Sequence, residues 1–406
     1  MKDYSKIRVG VIGVGGRGRG LTMDIMVPLG AKIVAICDNY QPAIDKMLKL
    51  LEEKGQPKPD VYTDYKELLA SDKVDAVVIA TPWKEHIRMA IDSMKAKKYT
   101  AFEVGGAYSL EECFELVKTY EETKTECMML ENCCFGRDEL LVLNMVRQGL
   151  FGKVIHCQGG YRHDLRDEVS FGRENHHYRF NEYLTRNREN YPTHELGPIA
   201  NVLNINHGNR MVSLVSMASA SIGLHEFLLE KKGEEYDASH FDFKQGDVVT
   251  TIIKCEQGQT ITLTLDTTLP RPYSRGFHVQ GTKGIYDEDN KSIFLDSMPA
   301  DQEWHWDKHW GNVKDFYEKY DDPLWGHGRE NFGSHGGMDS LEFIAFFNMI
   351  LAKGKSPIDV YDAASWMAIS TLSEESIKNG SAPVEIPDFT HGEYKNRKPW
   401  VSIINE

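Results

Sequence analysis

Two short segments of this chain place a tyrosine near a histidine: Tyr161-Arg162-His163 and Tyr191-Pro192-Thr193-His194. A phenol and an imidazole suit the transfer of a proton near neutral pH, and both can steady an enolate oxygen. Residues two apart on a strand point the same way, so Tyr161 and His163 are expected on one face. Each pair also has a plain structural alternative. Tyr161 and His163 could form the polar patch of a half-exposed sheet, and His194 could be a satisfied histidine at a helix start, with Thr193 as the cap. His194-Glu195 does not begin an H-E-x-x-H motif, because Pro198 stands where the second histidine belongs, so no metal site is expected. His305 and His309 lie four apart, but Trp304, Trp306 and Trp310 around them point to packing.

A second constellation lies near the N-terminus. An apolar run (Ile7, Val9, Val11, Ile12) leads into Gly13-Val14-Gly15-Gly16-Arg17-Gly18, then a helical stretch, then the run Lys32 to Cys37 ending on Asp38. Glycine-rich turns are common by themselves; here the setting is strand, turn, helix, strand, with an acid 20 positions after Gly18. Such glycines allow a tight turn and let the backbone approach a pyrophosphate, while the helix start presents free N–H groups. Asp38 would accept hydrogen bonds from ribose hydroxyls and repel a further phosphate, and Asn39-Tyr40 offer no arginine to hold one. The expected cofactor is NAD.

The elements that must position these groups follow along the chain. Residues 1 to about 130 alternate strand and helix. Val74 to Ala80 is a nearly continuous apolar run, as expected for a strand covered on both faces, and it opens into Thr81-Pro82-Trp83 with His86 just beyond. Tyr99 to Val104 repeats the pattern and ends in Gly105-Gly106, and Cys127 to Leu130 closes with Glu131-Asn132. Ligands of open α/β sheets bind beyond the carboxyl ends of the strands. The loop Gly13–Gly18, Asp38, Trp83, His86, Glu103, Val104 and Asn132 are therefore expected around one dinucleotide. Further on, short β-rich runs (154–161, 212–217, 248–254, 260–266, 276–280, 284–286) predict a mostly antiparallel sheet. A polar and aromatic stretch, 162–191, precedes a helix at 196–205. A long, partly irregular loop is expected at 301–334, and helices at 338–351 and 360–375. The fold class expected is α/β: an N-terminal Rossmann, doubly wound parallel sheet over residues 1–132, then an α+β substrate domain over 133–406 with an open, mostly antiparallel sheet.

Composition excludes several functions. The 406-residue chain has a formal net charge of −14, which argues against nucleic acid or an anionic membrane surface as partner. No apolar run is long enough to span a membrane. Seven cysteines form no C-x-x-C pair and sit largely in apolar runs, so buried free thiols are expected. No signal-peptide core precedes the first strand, which fits a cytoplasmic protein or a trimmed form of an exported one. An exposed face of the antiparallel sheet could support a homo-oligomer.

The domain combination resembles the NAD(P)-dependent sugar oxidoreductases typified by glucose–fructose oxidoreductase and inositol dehydrogenase. That family normally carries Glu-Lys-Pro where this chain has Glu103-Val104-Gly105, so the lysine that helps polarise the reacting hydroxyl is missing here. A closer resemblance rests on Gly159 to Arg166, Arg186 to Pro198, Asn206 to Met211 and Ser334-His335-Gly336-Gly337. Together these resemble glycoside hydrolase family 109, NAD-dependent α-N-acetylgalactosaminidases. Some glycosidases depend on NAD rather than on two carboxylates. The resemblance implies oxidation of the sugar at carbon 3, elimination, water addition and re-reduction, with a retained cofactor and a substrate ending in N-acetylgalactosamine. It implies catalytic roles for Tyr161, His163, Tyr191 and His194, and sugar contacts for Glu131, Arg179, Pro192, Thr193, Tyr273 and His335. A net sugar oxidoreductase and a non-catalytic sensor are the alternatives.

Overall fold

A computed structural model of the chain describes residues 2–299, 305–325 and 333–400. The chain divides into two compact units. The first comprises Met1–Arg137, Asp322–Ala364 and the chain from Trp400; the second comprises Asp138–Asp321 and Ser365–Pro399.

The first unit is built on six parallel strands: β1 (Arg8–Ile12), β2 (Lys32–Cys37), β3 (Asp60–Tyr62), β4 (Ala76–Ile79), β5 (Tyr99–Glu103) and β6 (Cys127–Leu130). Their spatial order is β3-β2-β1-β4-β5-β6. The order reverses at β1, which places a crevice beyond its carboxyl end. All four residues of β4 are buried, as a strand covered on both faces requires. The intervening helices start on recognisable signals. Leu110–Thr123 opens with a capping box in which Ser109 and Glu112 satisfy each other's backbone N–H, and it ends at Lys124 in the left-handed conformation. The helix Met338–Ala352, distant in sequence, packs in this unit against the turn Asn132–Phe135 and the helical segment Leu21–Met26.

The second unit carries an eight-stranded sheet of β7 (Val154–Arg162), β8 (Met211–Ala218), β9 (Val248–Cys255), β10 (Thr260–Asp266), β11 (His278–Gly281), β12 (Gly284–Asp287), β13 (Ser292–Leu295) and β14 (Val384–Glu385). The order is β13-β12-β11-β7-β10-β9-β8-β14, antiparallel except between β7 and β10. Burial alternates along β9 and β10, so one face is covered and the other open. The helix Thr193–Leu203 lies on the covered face against β7.

Some local expectations change. The stretch 162–191 holds two short helices, Arg166–Ser170 and Arg179–Thr185. Within 301–334, the described residues form single turns at Trp306–His309, Asn312–Phe316, Tyr317–Tyr320 and Pro323–Trp325, while Trp304 lies outside them. His309 is buried with its ring 5.3 Å from Phe294, a packing role. All seven cysteines are buried free thiols.

Candidate functional site

The first group of site residues lines the carboxyl end of the parallel sheet. Gly13 has φ +87 and lies against the backbone of Ala80 and Thr81, where a side chain would collide. A Cβ on Gly18 would fall 1.9 Å from the Gly13 carbonyl oxygen, whereas at Gly15 and Gly16 it would meet nothing within 4 Å. The loop is thus closed beneath and open above, the form a pyrophosphate cradle needs. Helical backbone begins at Gly16 and continues through Leu21–Met26 in a widened π turn, where the Thr22 hydroxyl donates to Gly18 O at 2.7 Å. Asp38, just past β2, accepts from Val14 N at 2.8 Å and from Tyr40 N at 2.9 Å, so it also fixes the loop. These features fit a bound NAD.

Trp83 opens the helix Trp83–Lys95 and is buried, its indole so close to Gly105 that only glycine fits there. His86 is buried on the next turn of that helix, its Nε2 2.6 Å from Thr81 O. Burial pushes its pKa down to about 4, so the ring is neutral and holds the loop after β4 in place. Val104 is buried and brings no proton donor to the end of β5. Glu131 is fully buried and accepts from Cys133 N at 3.1 Å.

Two of the expected cofactor residues, Arg17 and Asn132, and one expected sugar contact, His335, converge on an acid that sequence reasoning missed, Asp339. Arg17 Nε donates to Glu103 Oε1 at 2.6 Å, and its Nη1 and Nη2 reach Asp339 at 2.8 and 3.2 Å. Asn132 Nδ2 donates to Asp339 Oδ1 at 2.7 Å, and His335 Nδ1 lies 2.9 Å from Oδ2, which also accepts from the Ser334 hydroxyl. Burial alone would raise the pKa of Asp339; the hydrogen bonds from His335 and Arg17, with the Arg17 charge, hold it well below the usual carboxylate range. Burial likewise works against the charge of Arg17, and Glu103 and Asp339 more than offset it. One turn further along the same helix, Glu342 is fully buried and neither carboxyl oxygen has a hydrogen-bond partner among the described residues. Burial, with Asp339 and Glu103 nearby, drives its pKa well upward.

In the second unit, aromatic rings gather where β7 meets the start of Thr193–Leu203. The Tyr161 hydroxyl lies 2.9 Å from His163 Nδ1, so the two do share a face. Ring centroids are 4.6 Å apart for Tyr161–Tyr191, 4.7 Å for Tyr191–His194 and 5.5 Å for Tyr161–His194. Tyr273, half exposed on the loop before β11, stands 5.0 Å from His163 and 6.2 Å from Tyr161. The Arg179 guanidinium sits over the rings of Tyr191 and Tyr161 at 5.4 and 5.9 Å, oriented by Glu168 at 2.7 Å. Burial and then the Arg179 charge lower the pKa of His163, leaving it neutral near pH 7. Pro192 occupies the N-cap position and Thr193 is the first helical residue with no side-chain capping bond, so the alternative that makes Thr193 the cap does not form. A proline in place of a cap fits here because its fixed φ already suits the turn. Pro198, four residues after His194, has no N–H to give the His194 carbonyl, which loosens the first turn that carries the imidazole.

Charged groups beneath the rings fix the loops that bear them. Arg275, two residues from Tyr273, bonds Glu139 at 2.5 Å, Glu195 at 3.3 Å and Glu288 at 3.4 Å, joining the Tyr273 loop to the His194 helix. Arg188 is fully buried and pairs with Glu182 at 3.0 Å. Its neighbour Glu189 is fully buried too, and burial pushes its pKa up to about 8.

Comparison with known proteins gives two family matches. A family model described as "Glycosyl hydrolase 109, C-terminal domain" matches residues 135–396, and one described as "Oxidoreductase family, NAD-binding Rossmann fold" matches residues 7–131. The chain is 40% identical to an alpha-N-acetylgalactosaminidase of Tannerella forsythia, over 98% of this chain and 89% of that protein. It is 39% identical to an alpha-N-acetylgalactosaminidase of Shewanella oneidensis, over 97% of this chain and 87% of that protein. Among solved structures, a levoglucosan dehydrogenase in complex with NADH and levoglucosan superimposes with a TM-score of 0.70 at 18% identity, covering 94% of this chain and 99% of that one, a likeness of fold.

Proposed function

This chain belongs to glycoside hydrolase family 109, and we propose that it is a retaining exo-glycosidase releasing terminal α-linked N-acetylgalactosamine. The names of the two relatives support the sugar, and the ring cluster of Tyr161, His163, Tyr191 and His194 supports the chemistry. When bound, NAD supplies a reversible hydride acceptor for carbon 3 of the sugar, which makes the carbon 2 proton acidic, allows elimination of the aglycone, and returns the hydride after water has added. The glycine loop, Asp38 and the loop after β4 would hold it.

The chain's own residues handle the protons. A base must take the proton of the carbon 3 hydroxyl, and a second must take the one on carbon 2. Tyr191 and His194 stand side by side as one phenol–imidazole pair, and Tyr161 and His163 share a hydrogen bond as the other. A neutral His163 can accept a proton through the Tyr161 hydroxyl. Arg179 over both tyrosines favours phenolate and enolate character, which a positive charge stabilises. Tyr273, Pro192, Thr193 and Arg179 are the sugar contacts in this reading.

A panel of α- and β-linked nitrophenyl hexosaminides tests the proposal with purified protein. Release from the α-linked N-acetylgalactosaminide without net NADH is expected. Accumulation of NADH with free sugar and added NAD would make the protein an oxidoreductase instead, and no turnover with any glycoside would refute the proposal.

A further inference from the structure

The glycine loop carries an arginine whose charge is turned away from any phosphate role. Arg17 stands at the helix start where a pyrophosphate is expected, yet its Nε and both terminal nitrogens are taken by Glu103 and Asp339. Asp339 is wholly buried and accepts from four different side chains, namely Arg17, Asn132, His335 and Ser334. The backbone just before it is strained: His335 has φ +49, between Gly333 at +85 and Gly336 and Gly337 at +63 and +101. A non-glycine residue persists in that region only where its surroundings hold it. A side chain on Gly333 would collide with Ser340 and with Ile25, which lies on the helical segment directly after the glycine loop. Two independent contacts thus tie the segment Gly333–Asp339 to the cofactor loop: Arg17 with Asp339, and Gly333 against Ile25.

We propose that Asp339 is the positioning residue that makes the cofactor a retained one, by clamping Arg17 and with it the glycine loop to the strand ends at Glu103 and Asn132. The inference rests on the reading of NAD as a resident catalyst. A dinucleotide held by backbone N–H groups leaves when its loop opens, and opening this loop requires breaking the Arg17–Asp339 pair inside a buried site. In such a site an unpaired carboxylate is strongly disfavoured. Glu103 then holds Arg17 from the other side. Arg17, Glu103 and Asn132 act on the cofactor by fixing one another rather than as separate contacts.

The test is a double-mutant cycle read as a rate of cofactor release. Full-length protein is loaded with NADH, chased with excess NAD, and followed by NADH fluorescence for the parent, Asp339→Asn, Arg17→Met and the double variant. Each single variant is expected to release NADH about ten- to a hundredfold faster, the factor of one charged hydrogen bond, and the double variant no faster than the singles. Loss of fold stability alone would not produce that coupling. Folded variants that release at the parent's rate, or effects that multiply in the double variant, would overturn the proposal. If Asp339→Asn does not fold, Arg17→Lys at a partly exposed side chain carries the same expectation, and an unchanged rate there overturns it equally. A parent that exchanges its cofactor at once refutes the resident-cofactor reading, and this inference with it. A slow parent with equally slow variants refutes this inference alone.

Discussion

The cluster around Asp339 and the cluster around Tyr161 use opposite materials. At the first, Arg17, Glu103, Asn132, His335 and Asp339 meet at hydrogen-bond distances of 2.6 to 3.2 Å, and the carboxylate is driven well below its usual range. At the second, rings meet tilted or edge to face at 4.6 to 6.2 Å, with a hydrogen bond between Tyr161 and His163 and an arginine laid over the faces. Saturated charge pairs are costly to open, so the first arrangement suits something that must stay. Phenols and imidazoles are side chains that give and take protons in general acid–base catalysis, so the second suits groups that change protonation during each turnover. The difference separates holding from reacting, as the proposed glycosidase with a resident redox cofactor requires.

The largest expected effect comes from breaking the reacting side alone. Tyr191→Phe and His194→Ala should each lower kcat by about two to four orders of magnitude, the range for a lost general acid or base. NAD content, read by absorbance of the denatured protein, should stay at the parent's level, and added NAD should restore nothing. In Asp339→Asn, by contrast, added NAD should recover activity. Equal NAD loss in both sets would erase the distinction.

Next in size is the ionic hub beneath the rings. Arg275→Met leaves Glu139, Glu195 and Glu288 without their shared cation, and stability in urea should fall by about 3–5 kcal/mol, the scale for breaking a buried pair. A loss below about 1 kcal/mol, as for exposed pairs, would mean that the hub is solvated.

A smaller effect concerns Glu189. Its folded pKa, about 8, lies above its ordinary value of 4.5, so between these the unfolded chain has released a proton that the folded chain keeps. Stability should therefore decline as pH rises through that window, with a slope approaching about 1.4 kcal/mol per pH unit, and Glu189→Gln should flatten it. Identical slopes in urea titrations of the two proteins would contradict the assignment.

The smallest is a shift in the pH profile. His163 is held below its ordinary value of 6.5, first by burial and then by Arg179. As a base it works when neutral, so the acidic limb of kcat/KM should lie below pH 6.5, and Arg179→Gln should move that limb upward. A limb that stays in place would detach His163 from Arg179.

Much of this division is legible in the residues. The glycine loop, the apolar runs of β1, β2 and β4, and Asp38 declare the parallel sheet, because a strand buried on both faces has little freedom in composition. The spacing of Tyr161 and His163 shows their shared face, since strand period alone decides it. Asp339 was not legible. It is an acid in the first turn of a helix, an ordinary place for one, and its partner Arg17 lies 322 positions away. Glu342 is equally silent, because only packing reveals that its helix turns it inward. The structural alternative for His194, with Thr193 as a helix cap, does not form for a local reason: a threonine before an apolar run can read as a cap, but Pro192 already occupies that position. The helices Arg137–Arg147 and Gly223–Lys232 also went unread, the second with little amphipathic pattern to mark it.

The central claim is that a resident cofactor drives elimination through an acidified carbon 2. Turnover of an α-N-acetylgalactosaminide in heavy water, with the released sugar analysed by proton NMR, tests it directly. The account predicts deuterium at carbon 2 of the product; a product with none there would contradict it.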